Sequence, residues 1–327
     1  MDTKLQTETA LLDSSLSLRP AQWADVDAVA KLILDVCTHE GDPTMAVTAQ
    51  ELARGWKTPG FVLETDAFVV QTSDGRIVGY EEFENRHAHA SLSGDGYVHP
   101  EFLGRGIGTA LLRALEARAR QEMKLADPHL RVYIRNGMAV TDKIACEMHE
   151  NEGFKPIRYS WRMEITLDDA PPEPKFPEGV ELRPFSMEQD RAVYEAHEEA
   201  FSDHWGHVPR PYEEWVHRFE DREPSLWFIA WDGGQIAGYA LCRFRMGIGW
   251  VGSLGVRRPW RKRGLGEALL LHSFGEFHRR GMKVIGLGVD AANPTGATRL
   301  YQKAGMKIAA EYVIYEKELR PGSDPEE

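Results

Sequence analysis

The residues Arg261-Lys262-Arg263-Gly264-Leu265-Gly266 combine three cations with two glycines, directly after a strand-like run and directly before a helix-like one. A helix N-terminus presents unsatisfied N–H groups and the positive end of the helix dipole, and glycine lets an anion approach the backbone closely. Flanking guanidinium and ammonium groups add charge-assisted hydrogen bonds. This chemistry suits a pyrophosphate. Two other glycine motifs fit less well: the dinucleotide fingerprint wants a small residue where Leu269 stands, and the GKS or GKT ending of a P-loop is absent. A basic surface turn is the other reading of the same residues. A second constellation follows at Asn293-Pro294-Thr295-Gly296-Ala297-Thr298-Arg299-Leu300-Tyr301-Gln302-Lys303-Ala304-Gly305. Its spacing predicts a helix over 294–304, with Asn293 as N-cap, Pro294 in the first position and Gly305 as the stop. Ala297, Leu300, Tyr301 and Ala304 form its apolar stripe, so Tyr301 taken singly reads as a core residue.

These segments need elements to hold them, and the chain builds the set twice. Leu18-Arg19-Pro20, Asp74-Gly75, Ile77-Val78-Gly79-Tyr80, Gly106-Ile107-Gly108 and Gly153-Phe154 recur in the same order roughly 160 residues later. The second set is Leu182-Arg183-Pro184, Asp232-Gly233, Ile236-Ala237-Gly238-Tyr239, Gly264-Leu265-Gly266 and Gly305-Met306. Ordered landmarks of this kind mark a tandem duplication. Between the copies, residues 168–179 (DDAPPEPKFPEG) are rich in proline and acid, a linker composition. The expected division is a first domain over 16–168, a linker over 169–179 and a second domain over 180–319, with a disordered polar tail from Arg320. In the second copy the patterns predict strands over 180–184, 226–231, 235–244, 248–256, 284–289 and 310–319. Helices are expected over 190–201, 211–220, 264–280 and 294–304, and Asp232-Gly233-Gly234 marks a hairpin. Strands and helices that interleave around a mixed sheet belong to the α/β (α+β) class.

Composition narrows the function. The 327 residues carry 39 Lys and Arg against 51 Asp and Glu, a formal charge of −12, which disfavours a general grip on nucleic acid or an anionic membrane. With 42% hydrophobic and 28% charged residues the chain has the make-up of a globular protein. Cys37, Cys146 and Cys242 are odd in number and widely spaced, so neither a disulfide framework nor a cysteine zinc site is expected. Residues 1–17 lack a basic region followed by an apolar run, and no stretch approaches a bilayer-spanning length. The expectation is a cytoplasmic protein.

In this order the two motifs resemble the GCN5-related N-acetyltransferase (GNAT) family, in its tandem two-domain bacterial form. The family's glycine motif is matched by Val256 and by Arg261 through Gly266, and its second motif by Asn293, Ala297, Leu300, Tyr301 and Gly305. The resemblance covers the whole chain and implies two GNAT domains, each a mixed, mostly antiparallel twisted sheet flanked by helices. It implies acetyl-CoA as cosubstrate, held by the backbone of Arg261, Lys262, Arg263, Gly264, Leu265, Gly266 and Glu267 at its pyrophosphate. Leu254 and Val256 would pair with pantetheine and polarise the acetyl carbonyl, and Asn293 would bond to pantetheine. Tyr301, protonated at neutral pH, would donate to the departing thiolate. The acceptor would be a small-molecule or protein amine that attacks the thioester directly, with no metal.

A base to deprotonate that amine is less evident. The strand before Val256 has no acid, so the candidates are Asp203, His204 and His207, in the loop after the first helix, and Asp290 at a strand end. His204 and His207 lack a third ligand for zinc. The first copy keeps Val98, Gly104, Arg105, Gly106, Ile107, Gly108 and Thr109 as a possible second cofactor site, but Leu103 replaces the motif's arginine. Counting back from Gly153, His149 stands at the tyrosine position and Thr141 at the asparagine position, with Asn136 nearby. The first copy is therefore expected to be structural or a site without turnover. A non-catalytic acyl-CoA-binding or scaffold protein with a protein partner is the alternative reading of the whole.

Overall fold

The computed structural model describes residues 12–325 and shows the duplication element by element. Most of the leading segment discussed above, 1–11, lies outside the described residues, as do Glu326 and Glu327. The first copy runs β1 (Leu16–Pro20), α1 (Val26–His39), α2 (Ala49–Gly55), the single turn α3 (Leu63–Asp66), β2 (Ala67–Thr72), β3 (Ile77–His87) and β4 (Ser91–Val98). It continues through α4 (Ile107–Glu122), β5 (Val132–Ala139), α5 (Lys143–Asn151) and β6 (Lys155–Thr166). The second copy repeats this as β7 (Val180–Pro184), α6 (Asp190–Phe201), α7 (Tyr212–Arg218), β8 (Trp227–Asp232), β9 (Gln235–Arg245) and β10 (Ile248–Val256). Then come α8 (Leu265–Arg279), β11 (Val284–Asp290), α9 (Ala297–Lys303) and β12 (Lys307–Arg320). Asp232 pairs with Gln235 across a two-residue turn, the hairpin expected of Asp-Gly-Gly.

The compact units do not follow the expected boundaries. One comprises the chain to Arg158 together with the run from Tyr312, and the other comprises Tyr159–Glu311. The reason is an exchange of last strands. Residues of β6 from Ser160 to Thr166 pair antiparallel with β11, so the first copy's final strand completes the second unit. Residues of β12 from Tyr312 to Arg320 pair antiparallel with β5, so the chain's last strand completes the first. The final β-rich stretch thus does not close the domain it follows. Buried Val313 and Tyr315 from β12 join the first unit's core beside Leu115, Ile134 and Phe154, and Met163 from β6 joins the second unit's core beside Ile285 and Leu287. Residues 168–179 are irregular, as expected, but within the second unit: Phe176 packs on His272 with ring centroids 6.3 Å apart. The tail is anchored as far as Ser323, whose N–H donates to the His129 carbonyl at 2.9 Å.

In the second unit β7, β8, β9 and β10 run antiparallel in sequence order, and β10 meets β11 in parallel. Gly238 and Tyr239 are neighbours on β9 and project to opposite faces. A Cβ at Gly238 would lie 3.2 Å from Leu265 and Leu269, so that face carries α8. The Tyr239 ring stacks with His197 of α6 at 5.8 Å, so the other face carries α6. Among the described residues no helix is long and apolar enough to cross a membrane.

Candidate active site

The site is built where β10 leaves its neighbour. β10 and β11 pair only at Gly249 with Ile285 and Trp250 with Gly286, then part, while β10 continues along β9 as far as Val256 opposite Gly238. A register shift between Val251 and Ser253 bends the strand at that point. The backbone of the parted stretch, which includes Leu254 and Val256, therefore faces the gap with no strand to satisfy it.

After a short turn at Arg258–Trp260 the chain enters α8. Gly264 is its N-cap at φ 85°, a left-handed conformation that costs a side-chain-bearing residue roughly 1–2 kcal/mol. A Cβ there would meet nothing within 4 Å, so the space in front of the helix is open. The first intrahelical acceptor is the Gly264 carbonyl, which takes the Ala268 amide at 3.1 Å. Among the described residues the amides of Lys262, Arg263, Gly264, Leu265, Gly266 and Glu267 donate to no backbone or side-chain acceptor. This is a continuous row of donors at the positive end of a helix, an arrangement made for an anion.

The side chains around that row are not all free to join it. Arg261 turns away: its guanidinium donates to the Val256 carbonyl at 3.1 Å, the Ala200 carbonyl at 3.2 Å and the Asp203 carboxylate at 2.8 Å. It ties the loop to the end of α6, and its own N–H donates to the Arg258 carbonyl at 3.3 Å, so the open row starts at Lys262 and not, as expected, at Arg261. Lys262 and Arg263 are exposed. Glu267 holds Lys303 of α9 through both carboxylate oxygens at 2.9 Å, and Gly266 would place a Cβ 3.5 Å from Leu300, which docks α9 beside the start of α8.

Tyr301 lies on α9 in the apolar cluster that also holds Leu254, Val256 and Val289, and only 7% of its surface is exposed. Burial pushes its phenol up to about 12, so it is protonated throughout the neutral range. Among the described residues its hydroxyl has no hydrogen-bond partner. The ring therefore packs as a core residue, and among the described residues the hydroxyl is unused. Asn293 differs from its expected role. Its Oδ1 accepts from the Thr295 N–H at 2.9 Å and the Thr295 hydroxyl at 2.6 Å, closing a local turn, and α9 begins only at Ala297 with Gly296 as N-cap at φ 80°. An asparagine that bonds two residues ahead competes with capping a helix. The amide nitrogen of Asn293 is what remains to meet a ligand.

The base candidates separate on contact with geometry. Asp203 is held by Arg258 at 2.6 Å and Arg261 at 2.8 Å, and those hydrogen bonds keep its carboxyl at about 2. An acid that weak as a base suits a structural tie. Asp290 accepts the Ala292 amide at 3.0 Å at the end of β11. His204 packs against Phe201 with centroids 4.2 Å apart, and burial lowers its pKa. His207 points its Nε2 at Glu198 of α6, 3.3 Å from Oε2. Glu198 was not among the expected residues: it sits in the acid-rich run Glu195-Ala196-His197-Glu198-Glu199, where nothing in the spelling sets it apart. Among the described residues no group of three or more His, Cys, Asp and Glu is placed to hold a metal ion.

The first unit has the same loop with different fittings. Gly106 is the N-cap of α4 at φ 78°, and among the described residues the amides from Gly104 to Thr109, Ile107 and Gly108 included, have no acceptor in the chain. Arg105, however, donates to Asp13 at 2.6 Å and to the Ser15 hydroxyl at 3.0 Å. β4 and β5 stay paired as far as Gly94 with Asn136, so the gap before Val98 opens later. His149 is buried against Phe154 and Tyr315, its Nδ1 contacts the Ala145 carbonyl at 2.8 Å, and burial lowers its pKa. A neutral ring that donates from Nδ1 leaves only a lone pair at Nε2, so it has no proton to offer a leaving group.

Comparison with known proteins agrees with this architecture. The "Acetyltransferase (GNAT) family" model matches residues 191–306, and the "Acetyltransferase (GNAT) domain" model matches residues 64–156. The chain is 31% identical over 259 residues to the mycothiol acetyltransferase of Thermomonospora curvata, covering 76% of this chain and 81% of that protein. It is 27% identical to the mycothiol acetyltransferase of Streptomyces avermitilis over 94% of this chain and 95% of that one. Among solved structures, a GCN5-related N-acetyltransferase from Sphaerobacter thermophilus superposes with a TM-score of 0.80 at 39% identity, covering 96% of this chain and 98% of that chain. With a duplicated mixed sheet, a row of open amides in each copy and relatives of this closeness, the chain belongs to the GNAT family and is a tandem-domain, acetyl-CoA-dependent acetyltransferase.

Proposed function

We propose that the second unit transfers the acetyl group of acetyl-CoA to a primary amine, and that deacetylated mycothiol is the first acceptor to test. The observation that carries this is the parting of β10 from β11 beside the open amides at the start of α8. The pyrophosphate would sit on the amides of 262–267, with Lys262 and Arg263 adding charge and Arg261 bracing the loop. Pantetheine would lie in the gap, paired with the free edge of β10 at Leu254 and Val256 and met by the Asn293 amide. The N–H groups of that edge would hold the carbonyl oxygen as it becomes an oxyanion. The amine would attack the carbonyl carbon, the C–S bond would break with its electron pair passing to sulfur, and the Tyr301 hydroxyl would protonate that sulfur. The mycothiol choice rests on the named relatives.

The first unit holds the same amide row but neither a free arginine nor a proton donor at the tyrosine position. Its role in this reading is structural, or to bind acetyl-CoA without turnover. The experiment is calorimetric titration with acetyl-CoA of the wild-type protein and of Gly264→Glu, which places a carboxylate in front of α8. Loss of one binding event together with turnover supports the assignment to the second unit. Retention of full turnover in Gly264→Glu would move the reaction elsewhere.

A further inference from the structure

Among the described residues Glu198, His197, Tyr239 and Ser253 bury polar side-chain atoms that are poorly satisfied: Glu198 Oε2 has His207 Nε2 at 3.3 Å without a well-formed hydrogen bond, His197 Nδ1 closes none, and the Tyr239 and Ser253 hydroxyls have only each other. They lie together on the face of the sheet that carries α6. The ring of His197 stacks with Tyr239 at 5.8 Å, and a Cβ at Gly255 would overlap the Tyr239 hydroxyl. Gly255 and Ser253 belong to the stretch of β10 that has left β11. A buried polar atom left without a good hydrogen bond costs roughly 1–3 kcal/mol, so a group of poorly satisfied ones in one patch marks a place that a polar ligand completes. α8 and its open amides occupy the opposite face. Cofactor and acceptor would therefore reach the same parted strand from opposite sides of the sheet.

From this geometry we propose that Glu198, backed by His207, receives the proton that the acceptor's ammonium must lose before it can attack. This rests on the reading of the second unit as the catalytic one. The carboxylate is surrounded for the task. His207 Nε2 stands 3.3 Å from Oε2, His197 Nδ1 stands 3.6 Å from Oε1, and the Arg210 N–H donates to it. Tyr194 and Tyr239 are the other titratable groups that face it, and Arg218 and His204 face His197. Burial raises the Glu198 pKa, while His207 and Arg210 pull it down. Burial and the cations around it hold His197 at about 3, so it stays neutral and adds no charge to the pocket.

The protons balance. The ammonium gives one to Glu198 and the neutral nitrogen attacks the acetyl carbon. As the C–S bond breaks, sulfur takes a proton from Tyr301. The nitrogen, now bonded to the acetyl carbon, releases its second proton, which restores the Tyr301 phenol. Glu198 passes the first to water through His207. Net, the amine loses two protons, CoA gains one and one enters solvent.

The test measures kcat/KM of the full chain with deacetylated mycothiol from pH 6 to 10, for wild type, Glu198→Gln, Glu198→Asp and His207→Gln, alongside acetyl-CoA affinity by calorimetry. Glu198→Gln should keep acetyl-CoA affinity and lose about 100-fold in kcat/KM at pH 7. Its deficit should shrink about tenfold per pH unit as solvent takes over deprotonation of the amine. Glu198→Asp should recover part of the rate, and His207→Gln should show a smaller deficit of the same pH shape. A deficit that is the same at every pH, or no deficit, would overturn the assignment. A wild-type protein that binds no acetyl-CoA would instead overturn the parent reading, so the two failures are distinguishable.

Discussion

Replacing Tyr301 with phenylalanine removes one oxygen and little else, and the structure says what each consequence should be. The ring fills its place in the cluster with Leu254, Val256 and Val289 either way, so packing is retained. The hydroxyl has no partner among the described residues, so no protein hydrogen bond is lost, and stability should change by less than about 1 kcal/mol. Acetyl-CoA should bind with unchanged affinity, because the open amides of 262–267 lie on a different segment. Turnover is another matter. With the phenol held at about 12, essentially every molecule of wild type carries the proton at pH 7. Losing a positioned acid costs typically 10²- to 10⁴-fold, or about 3–5 kcal/mol in the barrier. The assay is CoA release under saturating acetyl-CoA, with calorimetric affinity and a thermal melt on the same preparation. If Tyr301→Phe turned over at the wild-type rate, the proton-donor role would be wrong. If it fell in affinity and melting temperature together with rate, the hydroxyl would be serving the fold and not the proton transfer.

Three further outcomes follow from the same geometry. A chain ending near Ala170 lacks Val313 and Tyr315 from the first unit's core, and their burial is worth roughly 3–6 kcal/mol, a large part of a typical domain's stability. Such a fragment should unfold without cooperativity by circular dichroism, and a synthetic peptide of residues 307–325 should restore a melt; a cooperative melt without the peptide would contradict the exchange. His197 is buried neutral with its pKa lowered to about 3, so the unfolded chain binds the extra proton and stability falls as pH drops below about 6.5. At pH 5 the loss is about 2 kcal/mol in urea unfolding, and His197→Phe should flatten that slope. Asp203 is the opposite case: its stabilising tie to Arg258 and Arg261 is present above about pH 4 and lost as pH falls toward 2, and Asp203→Asn should loosen the loop before α8 and weaken acetyl-CoA binding several-fold by calorimetry.

Much of the second copy is legible residue by residue because its signals are local. Asp-Gly-Gly turns the hairpin, Gly264 marks the left-handed N-cap, and the stripe through Tyr301 faces the core, each set by chemistry within a few positions. What is not legible depends on distance. The spelling of β12 announces a strand but carries no label for its partner, so its pairing with β5 is invisible until both are placed. Arg261 reads as a phosphate ligand until Asp203 and the carbonyls of Val256 and Ala200 are seen to occupy its guanidinium. Asn293 fails as an N-cap for a nearer reason, the competing turn to Thr295. Glu198 is one acid among several on α6, and only the placing of its buried oxygen beside His207 distinguishes it.

The exchanged strands also order events during synthesis. A domain usually folds as it leaves the ribosome, N-terminal part first. Here β5 waits for Tyr312–Arg320, translated after the whole second unit, while β6 is ready for β11 as soon as residue 290 emerges. The second unit can therefore close before the first, reversing the usual direction. An unpaired β5 edge is a hazard until that strand arrives, and a stop codon just before residue 312 would leave both halves of the chain present and only one of them finished.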